Sequence, residues 1–232
     1  MRPYSIAFAL LLPVISLSAQ NVPVIVELFT SEGCSSCPPA DEVLARVEGS
    51  HSGADVIALG EHVTYWDRLG WKDRFSQNIF TERQEAYGER FRLGSVYTPQ
   101  VVVNGSVEAL GSDENRVRGA IAKAAKDAGV PVDVKLQAGD LLTYRIANVP
   151  RGAEVILAVT ESHLDTSVKS GENGGRNLRH TGVVRSVTSL GTASLGQSHV
   201  AVDKTWKREN LKFVVFVQEK ATRKILGAGS AN

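Results

Sequence analysis

Only two cysteines occur among the 232 residues, and they stand three positions apart, as Cys34-Ser35-Ser36-Cys37, between an apolar run and a helical stripe. The run is Val24-Ile25-Val26, continuing through Leu28 and Phe29, and it suits a buried strand of a parallel sheet. A polar break at 30–33 follows. Beyond the paired prolines, Ala40, Val43, Leu44 and Val47 recur at the spacing of an amphipathic helix. The order is strand, short loop, Cys-x-x-Cys, helix. Two residues between cysteines in a first helical turn bring the sulfurs within bonding distance. The unpaired N–H groups and positive dipole end of such a turn favour a thiolate. Cys34 is therefore expected to be an exposed nucleophile and Cys37 a more buried resolving thiol. As a staple the pair is badly placed: a four-residue ring restricts the unfolded chain by about 2 kcal/mol, against roughly 4.7 for a hundred-residue loop. As half of a zinc site it lacks a second Cys or His pair at ligand spacing.

Pro38 and Pro39 have no N–H and do not both fit a helix interior. The expected outcome is a kink, or a separate turn at 34–37 with the main helix starting at Pro38. Asp41 and Glu42 then lie in its first turn, where acids are favoured. With Glu32 they oppose a thiolate, so the sign of the Cys34 pKa shift is open.

Net charge is +1, which gives no support for a nucleic-acid role. Residues 1–19 read as a signal peptide: Arg2 supplies the positive end, 6–17 the apolar run, and Ser16 to Ala19 a small-residue exit. Export to the periplasm or beyond is expected, in a compartment where disulfides persist. The apolar run is shorter than the roughly 20 residues of a spanning helix, so no membrane span is expected after signal removal.

A second strand is read over 54–63, then an aromatic segment, 64–75, without a clean period. Thr81 with Gln84 reads as a capping box for a helix through Phe91. Thr98-Pro99 leads into Val101-Val102-Val103, Asn104-Gly105 reads as a two-residue hairpin turn, and Ser112 as the cap of a helix ending before Gly129 and Pro131. In an open α/β sheet, chemistry gathers beyond the carboxyl ends of the strands, which places Cys34, the segment after Val63 and the Thr98-Pro99 turn around one site. X-Pro bonds are cis in only about 5–6% of cases, so a trans Pro99 is the expectation from sequence alone.

This order over residues 22–129 resembles the thioredoxin fold. That family has a cis-proline before its third strand, facing the cysteine pair, and Pro99 matches its position, with Thr98 before it. More closely, CSSCPPAD, HVTYWDRLGWKDRF and YTPQVVVNG resemble a family of secreted bacterial proteins of unknown function, classed as thioredoxin-like. The resemblance implies substrate contacts at Thr98 and Pro99. It also implies a buried acid that deprotonates the second cysteine, a role for which Glu27 is the candidate, one residue further from the pair than in thioredoxins. The chain departs from thioredoxins at Gly33, where they have Trp, and at Ser35-Ser36, where they have Gly-Pro. His62, Tyr65, Trp66 and Asp67 stand where a strand exits toward the cysteines and are candidates to line the site, the alternative being that they pack and cap a loop.

From Pro131 the pattern changes to short alternating runs, about seven of them: 132–136, 142–146, 154–160, 183–184, 200–202, 213–217 and 225–226. They argue for a β-sandwich-like domain over 131–232. The expected architecture is thus an α/β thioredoxin-like N-terminal domain followed by an all-β C-terminal one. A long polar segment, 163–181, separates two of these strands, and Arg176, His180 and Arg185 are candidates to lean over the cysteines or hold an anion.

The function that follows is an exported thiol–disulfide oxidoreductase, acting on a protein or small thiol with an unknown electron partner. Its redox group is the Cys34–Cys37 disulfide itself, with no separate cofactor and no metal. The rival readings are a non-enzymatic scaffold with an inert disulfide and a Cu(I) carrier using Cys34, Cys37 and His62. A Cys34 sealed from water, or a Pro99 remote from both sulfurs, would sink the oxidoreductase reading and leave the all-β half to supply the function.

Overall fold

The structure, a computed structural model, describes residues 22–48 and 55–232. The signal-peptide reading of 1–19 lies outside the described residues. Thirteen strands and three α-helices are present among them: β1 (Val24–Thr30), α1 (Pro38–Glu48), β2 (Val56–His62), α2 (Asn78–Phe91), β3 (Gln100–Val103), β4 (Val107–Leu110), α3 (Glu114–Ala124), β5 (Val132–Gln137), β6 (Leu141–Ile146), β7 (Ala153–Glu161), β8 (Leu164–Ser167), β9 (Asn177–His180), β10 (Val183–Gly191), β11 (Leu195–His199), β12 (Leu211–Glu219) and β13 (Ile225–Ala231).

This corrects the expected fold class. The molecule is mostly β, and one mixed sheet of eight strands, ordered β13-β12-β7-β10-β2-β1-β3-β4, runs through both halves of the chain. A classic α/β thioredoxin-like unit standing before a separate sandwich is not what forms. The join is at β2, which pairs parallel with β1 on one side and with β10 on the other, Val183 opposite Gly60. Two glycines permit it. Gly60 donates its N–H to the Gly182 carbonyl at 2.7 Å. Gly182 has φ +61°, and a Cβ there would fall 2.5 Å from the Ala58 carbonyl oxygen.

Each face of the sheet is covered by what its alternation demands. On β1, Val24, Val26 and Leu28 face Ala40, Val43, Leu44 and Val47 of α1 and Val117 and Ile121 of α3. Ile25 points the other way, into a core with Ile57, Leu59 and Phe80, and Phe29 packs with Val63, Tyr87 and Val102. β5, β6 and β11 form a three-stranded sheet whose Val134, Leu142, Tyr144 and Ile146 pack on Val155, Leu157, Phe213 and Val215 of the large sheet. The 163–181 segment holds a two-stranded hairpin, β8–β9, separate from both sheets.

Thr81 and Gln84 do not form a capping box. α2 begins three residues before Thr81, and their side chains make tertiary bonds instead: Thr81 Oγ1 accepts from the Thr64 N–H, and Gln84 Nε2 donates to the Tyr97 carbonyl. α3 is capped by Asp113, whose carboxylate accepts from the Arg116 N–H at 3.1 Å, not by Ser112. The Asn104-Gly105 hairpin forms, with a loop of three residues, since Val103 pairs with Val107. The strand read at 200–202 is displaced to β11.

Candidate functional site

α1 begins at Pro38 because Cys37 is its cap residue: the Cys37 carbonyl accepts from the Ala40 and Asp41 N–H groups at 2.8 and 3.2 Å. Both prolines thus fall in the first turn, where an N–H has no intrahelical partner to lose. Cys34 lies in the preceding loop, its N–H on the Ser31 carbonyl. Neither proline offers a donor to a thiolate, so two of the first-turn N–H groups expected to favour one are missing. The two cysteines form a disulfide, with Cα atoms 5.4 Å apart.

Thr98 lies against this disulfide. Its hydroxyl is 3.4 Å from Cys34 Sγ and accepts from Trp66 Nε1 at 2.8 Å. The tryptophan N–H occupies an acceptor site of that hydroxyl and leaves its proton for the sulfur. The Thr98–Pro99 bond is cis, as in the resemblance and contrary to the expectation from X-Pro frequencies. Ser36 Oγ stands 3.4 Å from the same sulfur.

Cys34 is not the exposed nucleophile expected: both cysteines are 0% exposed. The tip of the β8–β9 hairpin, residues 168–176, is bonded to the cysteine loop. Asn173, itself fully buried, donates its Nδ2 to the carbonyls of Cys34 and Glu32, each at 2.9 Å. Glu172 accepts from the Ser35 N–H at 3.1 Å, and Ser170 Oγ donates to the Gly70 carbonyl. Arg176 contributes indirectly, donating to Asn173 Oδ1 at 3.0 Å.

Beneath the cysteine loop lies a buried cluster of acids and histidines. Glu32 is its hub. Its N–H is bonded to Asp73 Oδ2 at 2.8 Å, its Oε2 accepts from Trp71 Nε1 at 2.8 Å, and its Oε1 is 3.6 Å from His180 Nε2. His180 Nδ1 is 3.7 Å from Asp41 Oδ1, and neither ring nitrogen has a hydrogen-bond partner. His62 Nδ1 pairs with Asp73 Oδ2 at 2.7 Å, and its ring meets that of His180 edge-on at 4.9 Å. Burial alone pulls the His180 imidazolium down, but the Asp41 and Glu32 carboxylates overcome it and hold the group up to about 10. Burial pushes the Asp73 carboxyl up, yet His62 and two backbone N–H groups bring it down to about 2.

The signs follow. His180 has a raised folded pKa, so its stabilisation is complete below its unfolded value near 6.5 and is lost as pH rises through about 10. Asp73 has a depressed one, and its contribution is lost as pH falls from about 3.8 through 2. We expect the wild-type melting temperature to fall more steeply between about pH 7 and 10 than that of His180→Gln. Parallel curves for the two proteins would contradict the assignment of that charge.

The remaining candidates separate. Tyr65 donates to Gln84 Oε1 at 3.1 Å, and Asp67 braces the 64–75 loop through Ser76 Oγ at 2.7 Å. Glu27 is in a different cluster: its carboxylate accepts from Arg83 Nε at 2.5 Å and from Tyr87 Oη at 2.6 Å, with Glu61 3.4 Å from the same guanidinium. No hydrogen bond joins it to Cys37. Arg185 is also remote from the cysteines, 3.6 Å from Glu161 and stacked over Phe75 and Trp206. Among the described residues no group of three or more His, Cys, Asp or Glu is arranged to hold a metal ion.

A family model described as a protein of unknown function (DUF1223) matches residues 25–218. The chain belongs to this family. A crystallised member-like neighbour, protein AGR_C_4864 from Agrobacterium tumefaciens, is 31% identical over 92% of this chain and 95% of its own, with a TM-score of 0.70. HBP35 of Porphyromonas gingivalis shares the fold at 17% identity and a TM-score of 0.61, covering 91% of this chain and 75% of its own. None of the curated proteins compared with the chain matches it. Family membership fixes the relationship and brings no reaction with it, so the chemistry rests on the residues.

Proposed function

We propose that this family member is a thiol–disulfide oxidoreductase that works through the Cys34–Cys37 pair after export, on a protein or small-thiol substrate. A substrate thiolate attacks Cys34, Cys37 leaves, and the mixed disulfide is resolved by a second thiol. The observation that carries the reading is the Thr98 hydroxyl held on Cys34 Sγ by Trp66. It places the Thr98-Pro99 backbone beside the reacting sulfur, where an extended substrate segment can lie along it. Because Cys34 is covered, exchange requires the 168–176 tip to swing aside. Support for a movable cover comes from its composition. Most of its residues are exposed, and the bonds through which it holds the cysteine loop are those of Asn173 and Glu172.

Burial of both sulfurs favours a second reading, an inert disulfide in a scaffold protein. Equilibration of the full chain with thiol buffers decides between them. A midpoint potential between about −270 and −120 mV is expected for an exchange catalyst, whereas an inert bridge lies below about −300 mV. A value in the lower range, with no disulfide exchange on a model substrate, would end the oxidoreductase reading.

A further inference from the structure

Five ionisable groups, Glu32, Asp41, His62, Asp73 and His180, are buried together under the cysteine loop, and the mechanism above uses none of them. Burying that much charge is costly unless each group is paired and hydrogen-bonded. Here the bonding is incomplete: Glu32 Oε1 and both nitrogens of His180 lack hydrogen-bond partners. The arrangement keeps an imidazole between two carboxylates at 3.6 and 3.7 Å, held by charge and not by hydrogen bonds, and removing it alone would strand both acids in a buried site.

The cluster reaches the cysteines through Asp41. That residue stands four positions beyond Cys37 in the first turns of α1, and its N–H is on the Cys37 carbonyl at 3.2 Å. Reduction of the disulfide leaves an electron pair on Cys37 Sγ, which is fully buried. A thiolate there is disfavoured by desolvation and by the neighbouring carboxylates, so that sulfur needs a proton from close at hand.

Resting on the oxidoreductase reading, we propose that Asp41 and His180 are the proton-handling pair of the Cys34–Cys37 couple, with His180 as the store and Asp41 as the link to Cys37. The substrate thiolate attacks Cys34 Sγ; the Cys34–Cys37 bond breaks as the new sulfur–sulfur bond forms, and the electron pair stays on Cys37. His180 yields its proton through Asp41 to that sulfur. A second substrate thiolate then attacks the substrate sulfur of the mixed disulfide and releases the Cys34 thiolate, which takes a proton from water. The substrate dithiol loses two electrons to the protein disulfide and two protons to solvent, and the reduced cysteines take their two protons from His180 and from water. His180 is recharged from a cleft of about 820 Å³ between α1 and the β8–β9 hairpin, which both His180 and Asp41 line. The other charged groups facing His180 are Glu32 and, through His62, Asp73, with Glu42, Arg46, Asp165 and Arg179 on the cleft rim. Only the tip at 168–176 need move for substrate access, so His180 on β9 stays in place.

The test uses Cys34→Ser chains, in which Cys37 is the single thiol, titrated by thiolate ultraviolet absorbance, together with exchange rates of the two-cysteine forms. Asp41→Asn is expected to lower the Cys37 titration midpoint by about one pH unit, and His180→Gln to raise it by a similar amount. In the two-cysteine protein His180→Gln is expected to slow exchange with a dithiol about a hundredfold, the usual worth of a positioned proton donor. Opposite shifts are what charge coupling requires. Midpoints that stay put, or move together, mean a structural role and overturn the proposal while wild-type exchange stands. Should His180→Gln fail to fold, the Asp41→Asn shift decides alone. A wild-type disulfide that exchanges with nothing overturns the parent reading, and this one with it.

Discussion

Asn173→Ala is expected to speed reduction of the Cys34–Cys37 disulfide by dithiothreitol about tenfold to a hundredfold. The side chain donates to two carbonyls of the cysteine loop, those of Cys34 and Glu32, and no other cap residue bonds to Cys34. Losing these bonds to buried acceptors costs the closed state about 1–3 kcal/mol. Where reagent meets sulfur only in the open form, the rate rises with the open population, tenfold for about 1.4 kcal/mol. Glu172→Gln keeps an acceptor for the Ser35 N–H and should have a much smaller effect. The measurement is the pseudo-first-order rate of thiol release, with thermal unfolding as the control for global loosening. An Asn173→Ala protein reduced at the wild-type rate would mean that the 168–176 tip is not what guards the sulfurs.

The largest effect on stability is expected from Arg83→Met. Arg83 lies in the interior among Glu27, Glu61, Tyr87 and Gln218, donating to Glu27 at 2.5 Å and to Gln218 at 3.0 Å. Burial, and then the Glu27 charge, hold the Glu61 carboxyl well above the ordinary range, so Glu27 is the anion that Arg83 neutralises. Removing one partner of a buried pair typically costs about 3–5 kcal/mol, because the other is left charged in a dry site. For a chain of this size that lowers Tm by on the order of 10 °C. Adding Glu27→Gln should return a good part of the loss, since the stranded charge goes with it. Calorimetry of the two variants checks this, and an Arg83→Met protein within about 1 kcal/mol of wild type would show that Glu27 finds its counter-charge elsewhere.

That same cluster shows why Glu27 is bonded to Arg83 and Tyr87 and not to Cys37. Sequence position sets it on the strand before the cysteines, but the strand's alternation sends it to the side of Ile25 and Phe29, away from Val26 and Leu28, which meet α1. Thr81 and Gln84 carry a similar lesson. Their spacing is that of a helix cap, yet Thr64, Tyr97 and Gln100 offer better partners across the fold. Asn173, which ties the hairpin tip to the cysteine loop, gave no periodic signal; what marked it was the glycines around it, Gly171, Gly174 and Gly175, in so long a loop. Glu32 and Asp41 were visible only as acids near a thiol. Their partner His180 comes from a strand more than a hundred residues later.

What the amino-acid sequence determined by itself is what short-range chemistry controls: an apolar strand ending before a Cys-x-x-Cys, a helix that is kinked or begins at the paired prolines because they do not both fit its interior, and an Asn-Gly hairpin. Those choices depend on residues a few positions apart. The tertiary structure alone decided that β10 lies beside β2 and merges the two halves into one sheet, that an asparagine from a distant hairpin is bonded to the cysteine loop, and that a histidine is trapped between two acids beneath it. Each of these depends on desolvation and on partners brought together by the closing of long loops, and such energies have no counterpart in a local pattern.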